Sequence, residues 1–84
     1  MIHELKIEKP YADAILEGNK TFEIRYNDRG YQKGDLIKFN VTDDTIKARI
    51  NHPLNDKCFE ITYIIHGWGL RDNWCVFAIK ENKE

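Results

Sequence analysis

One helical pattern followed by nothing but strands is the feature that most constrains this fold. Tyr11, Ala14, Ile15 and Gly18 lie three to four residues apart, with Leu16 widening the apolar stripe. Pro10 suits a first helical turn, where a missing N–H costs nothing. Lys9 is a poor N-cap, so this helix is expected to depend on packing. Gly18 supplies a left-handed stop. On either side of the helix the residues alternate as strands do. His3 to Glu8 reads as a half-buried strand, with His3, Leu5 and Ile7 on one face. Lys20 to Arg25 reads as a second. Ile37, Phe39 and Val41 form the apolar face of a third. Thr42 to Thr45 reads as a turn and Ile46 to Ile50 as a short return strand. Residues 51–57 contain Pro53 and form the longest stretch without predicted structure. Cys58 to Ile65 is a strand with Phe59, Ile61, Tyr63 and Ile65 on one face. Trp74 to Lys80 is the last strand. One short helix cannot cover a flat sheet of five or six strands. A twisted sheet curling into a small barrel, its helix packed at an opening, protects the edges better. The expected class is therefore α+β, mainly β: a small pseudo-barrel. Residues 1–80 form the domain and 81–84 a charged, fraying tail.

The chain has 84 residues, enough for one domain with a small core. Its formal charge is −1, so bulk attraction to nucleic acid is not indicated and any such binding needs a local patch. No run approaches the ~20 apolar residues that span a bilayer, and no charged-then-apolar leader opens the sequence, so the chain reads as cytosolic. Cys58 and Cys75 are not in a CxxC pair, and each lies in an apolar run, which favours free buried thiols. His3, His52 and His66 are scattered. No metal site and no cofactor are expected.

Chemistry concentrates in Gly18-Asn19-Lys20-Thr21-Phe22-Glu23-Ile24-Arg25 and the loop after it. Strand alternation puts Phe22 and Ile24 on one face and Thr21, Glu23 and Arg25 on the other. Phe22 and Ile24 are expected in the core, with Glu23 and Arg25 at the edge of a polar cleft. A bare surface salt bridge between those two is the simpler alternative, worth about 0–1 kcal/mol. In Tyr26-Asn27-Asp28-Arg29-Gly30-Tyr31 the Asn, Asp and Gly mark a turn.

In this setting Gly18-x-Lys20-x-x-Glu23-x-Arg25 resembles the signature of the ASCH domains. These are a PUA-like branch named for activating signal cointegrator homology. The resemblance extends to His3-Glu4-Leu5-Lys6, Asn27-Asp28-Arg29, Tyr31-x-x-Gly34-Asp35 and His66-Gly67-Trp68-Gly69-Leu70, and is closest to a compact bacterial and phage subgroup of unknown function. It implies a PUA-like barrel with a cleft that binds RNA or a modified nucleotide or nucleoside. Carried over by position, that cleft holds Lys20, Glu23 and Arg25, with Asn27, Asp28 and Arg29 from the loop. Glu23 would accept from a base edge, Arg25 would donate in a fork and Lys20 would meet phosphate. Trp68 or Tyr31 could stack on a base. Some ASCH proteins are amidohydrolases of acylated nucleosides. Of the residues they use, Lys20 is present, but Glu23 stands where they keep a hydroxyl. Hydrolysis here would need Glu23 as general base and Lys20 at the oxyanion. A third reading is a protein-interaction or regulatory module, which an exposed apolar patch would favour.

Overall fold

The computed structural model describes residues 1–83. Its elements are β1 (Ile2–Glu8), α1 (Lys9–Leu16), β2 (Phe22–Tyr26), β3 (Leu36–Asp43), β4 (Ala48–Arg49), a 3-10 turn (Pro53–Asp56), β5 (Cys58–His66) and β6 (Trp74–Asn82). The strands make one sheet in the order β1-β3-β5-β6-β2, with β4 attached to β3. Only β1 and β3 run parallel; the other pairs are antiparallel. The sheet curls into the expected small α+β pseudo-barrel. The two outermost strands of the order, β1 and β2, do not pair with each other, and the gap between them is the barrel's seam.

The concave face carries the core. Leu5 and Ile7 from β1, Ile37, Phe39 and Val41 from β3, Phe59 and Ile61 from β5, and Cys75, Phe77 and Ile79 from β6 are all buried. The helix packs against β1 and β3 through Ala12 and Ile15. Tyr11 and Leu16, expected on its buried stripe, are exposed. The supporting surface is only two strands wide, and it takes a narrower face than the pattern offered. The helix lacks a side-chain cap at Glu8, as its packing-dependent character requires. It ends on Gly18 at φ +83°, where the amides of Gly18 and Asn19 return to the carbonyls of Ile15 and Ala14, each at 3.0 Å.

Two expectations about facing are reversed. Phe22 and Ile24 point outward, about half exposed, while Glu23 lies inside at 4% exposure. The register explains this: Glu23 is opposite Phe77 and Arg25 opposite Cys75, both core residues, so the odd residues of β2 must face in. In β5 a register shift between Ile61 and Tyr63 inverts the alternation. Ile64 rather than Tyr63 then packs on the core, and Tyr63 is exposed.

Three segments also differ from their expected form. Only Ala48 and Arg49 of the return segment form a strand, with the Ile50 amide also donating to the Val41 carbonyl at 3.0 Å; before them the chain turns through Lys47 at φ +56°. Residues 51–57 are structured. The 3-10 turn buries Leu54 completely, and Asn55 clamps β3 by accepting from the Val41 amide at 2.8 Å. The end of the chain is not frayed at Glu81 and Asn82, which remain in β6; Glu81 also accepts from Lys57 at 3.3 Å. Glu84 lies outside the described residues. Cys58 and Cys75 are both free, with Cys75 fully buried and Cys58 partly so; burial pushes the Cys75 thiol up. Among the described residues no helix is long and apolar enough to cross a membrane.

Candidate functional site

Glu23 is a carboxylate carried into the core face of an edge strand. Such a group requires charged partners, since an unpaired buried charge is expensive. It has two. Lys20 Nζ donates to Oε1, and Arg25 Nε donates to Oε2 at 2.8 Å. Lys20 lies two residues past the Gly18 stop, its amide still held to the Ala14 carbonyl at 3.0 Å, just before β2 begins. Its ammonium also donates to the Phe22 carbonyl at 2.8 Å and sits 5.3 Å from the centre of the Phe22 ring.

Arg25 then crosses the seam. Its Nη2 donates to the Lys6 carbonyl on the free edge of β1 at 2.8 Å. Arg29, from the following loop, does the same two residues along, donating from Nη1 to the Glu4 carbonyl at 3.0 Å. Residues of one parity on an edge strand turn their carbonyls away from the paired neighbour. Here two guanidinium groups satisfy those carbonyls where a sixth ladder would otherwise be needed to close the barrel. Each arginine keeps further N–H donors, and Arg25 Nη1 has no protein acceptor among the described residues.

An open groove of about 840 Å³ lies over this seam. Lys20, Glu23 and Arg25 are in its lining, Lys6 and Glu8 edge it from β1, and Phe22, Tyr26, Tyr11 and Trp74 give it aromatic walls. Tyr26 and Trp74 are opposite each other in the β2–β6 register and meet edge to face at 6.0 Å. A second groove of about 520 Å³ adjoins the first, sharing Lys6, Arg25 and Tyr26 and adding Asp28 and Arg29. The expected cluster is thus brought together along one line, with Lys20, Glu23 and Arg25 in the first groove and Asp28 and Arg29 in the second.

Asn27 has a supporting part. Its Oδ1 accepts from the Tyr31 amide at 2.9 Å, and its own amide donates to the Asn73 carbonyl at 2.7 Å. These bonds fix the loop that carries Arg29. Tyr31 lines the second groove but is only 4% exposed and packs against His3 and Phe77, so it offers that groove no free ring face. Burial pushes its phenol up. Trp68 does not line either groove. It sits at the tip of the β5–β6 loop, 89% exposed, where Gly67, Trp68 and Gly69 all take positive φ. The aromatic residues at the groove are instead Tyr26, Trp74, Phe22 and Tyr11. Their sequence signal was weak, because Trp74 reaches the site only through the pairing of the last strand with the second.

Glu23 also differs from its expected part. Both of its oxygens face cations, so it anchors Lys20 and Arg25 rather than standing open as a base or as the reader of a base edge. Among the described residues no three His, Cys, Asp or Glu side chains gather as metal ligands.

The match to known families covers this whole arrangement. The model of DUF3850, a domain of unknown function, matches residues 2–79. This chain belongs to the DUF3850 family. The matched span contains β1, the helix stop, the Lys20–Glu23–Arg25 cluster and both seam arginines, so the site lies wholly within the DUF3850 domain. Over a shorter stretch of 36 residues the chain is 47% identical to an uncharacterized 12.9 kDa protein in the GpA 3′ region of Escherichia phage P2. That stretch is 43% of this chain and 33% of the phage protein, so the DUF3850 chain matches about a third of that relative's length.

Proposed function

We propose that the seam groove of this DUF3850 domain binds a nucleotide, free or as a unit of RNA, in the manner expected of an ASCH-type barrel. The observation that carries this reading is the Lys20–Glu23–Arg25 cluster set among aromatic walls. A carboxylate buried between two cations fixes their positions before any ligand arrives, so little ordering cost remains on binding. Among the described residues, Lys20 has one ammonium hydrogen beyond its two protein acceptors, and Arg25 Nη1 has no protein acceptor. Both suit phosphate. Tyr26 and Trp74 offer the faces on which a base stacks, worth about 1–3 kcal/mol per base. The formal charge of −1 fits a small site better than a surface that tracks long nucleic acid. Binding is favoured over hydrolysis because Glu23 is fully engaged by cations.

The test is a titration of isotope-labelled protein with nucleoside monophosphates and a short single-stranded RNA, followed by amide chemical shifts. The expected perturbations fall on Lys20, Phe22, Arg25, Tyr26 and Trp74. Perturbations confined to the Trp68 loop, or none at all, would overturn the reading.

A further inference from the structure

The reversed facing of β2 and the shift in β5 have a joint effect on the convex side of the sheet. With Glu23 and Arg25 inside, Phe22, Ile24 and Tyr26 lie outside. Their register partners Ala78, Val76 and Trp74 lie outside with them and are only half-buried. Beyond the shift, Tyr63 and Ile65 of β5 pair with Ala78 and Val76 and join the same face. Three adjacent strands thus present a continuous apolar surface, and α1 packs elsewhere, against β1 and β3.

We propose that this convex β2–β6–β5 face is the interface of a homodimer, covered by the same face of a second copy of the chain. The exposed area suits a self-contact. Phe22, Ile24, Tyr26 and Tyr63 are 46%, 50%, 50% and 64% exposed. Side chains of this size present ~150–250 Å² each when bare, so these four leave roughly 400 Å² open. Two copies face to face hide roughly twice that. With the half-buried Trp74, Val76, Ala78 and Ile65 added, the total reaches ~1,000 Å², the lower bound for a specific interface and the size expected of a weak, concentration-dependent dimer.

The charges on this face also suit it. A two-fold contact sets a face against itself, so any net charge on it meets its own sign. Here the charged outward residues, Glu60 and Lys80, are opposite each other in the β5–β6 register and cancel. At the other margin the Lys20 ammonium is paired with Glu23. The face is therefore close to neutral where it would meet itself. Phe22, Ile24, Tyr26 and Trp74 belong both to this face and to the groove lining, so the second copy would stand beside each groove. A second copy would cover the Tyr26 and Trp74 rings on which a base is proposed to stack, so a bound nucleotide should oppose the dimer, and the dimer is tested with no nucleotide present.

The test is sedimentation velocity on the full chain from about 10 μM to about 1 mM, with Tyr63→Glu and Ala78→Glu, neither of which lines a groove. Wild type is expected to reach the mass of a dimer by about 100 μM, while both variants stay monomeric with wild-type circular dichroism. If a variant does not fold, dilution of labelled wild type decides instead: amide shifts should move together at Ile24, Tyr63, Trp74 and Val76. A wild type that is monomeric at about 1 mM overturns the proposal. So does a dimer that survives both folded variants, or dilution shifts that map to another face.

Discussion

Arg25 holds Glu23 through its Nε at 2.8 Å while its Nη2 reaches the Lys6 carbonyl at 2.8 Å. One side chain therefore both neutralises a buried carboxylate and ties the two unpaired edges of the barrel. Stability and site geometry share this residue, and substitutions around it separate the two.

Glu23→Ala removes the carboxylate and leaves two partly buried cations facing each other. Breaking a buried pair on one side typically costs about 3–5 kcal/mol. Lys20 and Arg25 keep 16% and 24% side-chain exposure, so some of that charge recovers water. The expected loss is about 2–3 kcal/mol in urea unfolding. A change within about 0.5 kcal/mol would make the cluster a surface feature.

Arg25→Lys keeps the charge but not the fork. A lysine can satisfy Glu23 or the Lys6 carbonyl, not both in one fixed geometry. The expected loss is about 1–2 kcal/mol, with faster hydrogen exchange at the β1 edge. Unchanged exchange on β1 would show that the seam holds without the guanidinium.

Leu54→Ala tests the 3-10 turn as part of the core. Leu54 is fully buried beneath β3, and a Leu→Ala change at such a site costs about 2–5 kcal/mol. A loss below about 1 kcal/mol, read from chemical denaturation, would mean the segment behaves as a loop.

Two aspartate–histidine ties contribute to the acid sensitivity of the fold. His3 Nε2 donates to Asp35 at 2.8 Å, and His52 Nε2 donates to Asp13 at 2.7 Å while its Nδ1 accepts from the Leu54 amide. The bond from His3 holds the Asp35 carboxyl below its usual range, and the bonds from His52 and then Lys9 do the same for Asp13. A carboxyl depressed in the folded state contributes stability that is complete above its unfolded pKa of ~3.9. That stability is lost as pH falls through the folded value. Melting temperature should therefore hold on the carboxylates' account down to about pH 4 and fall below it, and Asp35→Asn should flatten part of that fall. An identical acid profile for Asp35→Asn would contradict the assignment.

Most of the fold was legible in the sequence because it rests on local period. The core faces of β1 and β3, the helix with its glycine stop, and the choice of a curled sheet over a flat one all follow from alternation and edge protection. The facing of β2 was not legible. Phe22-Glu23-Ile24-Arg25 alternates perfectly, and the apolar half is the natural core. Yet the pairing of Glu23 with Phe77 puts the charged half inside, where Lys20 and Arg25 make it tolerable. Tyr63 was misplaced for a similar reason, since one shift in the ladder inverts everything after it. At the site, the Lys20–Arg25 cluster and Arg29 were readable as a group. Trp74 and Tyr11 were not, because they arrive from strands and a helix that only tertiary pairing brings to the seam.

The central claim is that Lys20 and Arg25, positioned by Glu23, meet the phosphate of a nucleotide in the seam groove. Isothermal titration of a panel of nucleosides and their 5′-monophosphates against wild type and Lys20→Ala tests it most directly. At least one monophosphate should bind wild type, and it should bind more tightly than its nucleoside. Lys20→Ala should weaken that monophosphate about tenfold, the worth of one charge-assisted hydrogen bond, while leaving the nucleoside unaffected. Equal affinity of every monophosphate and its nucleoside, or no binding of any monophosphate to wild type at millimolar concentration, would contradict the account.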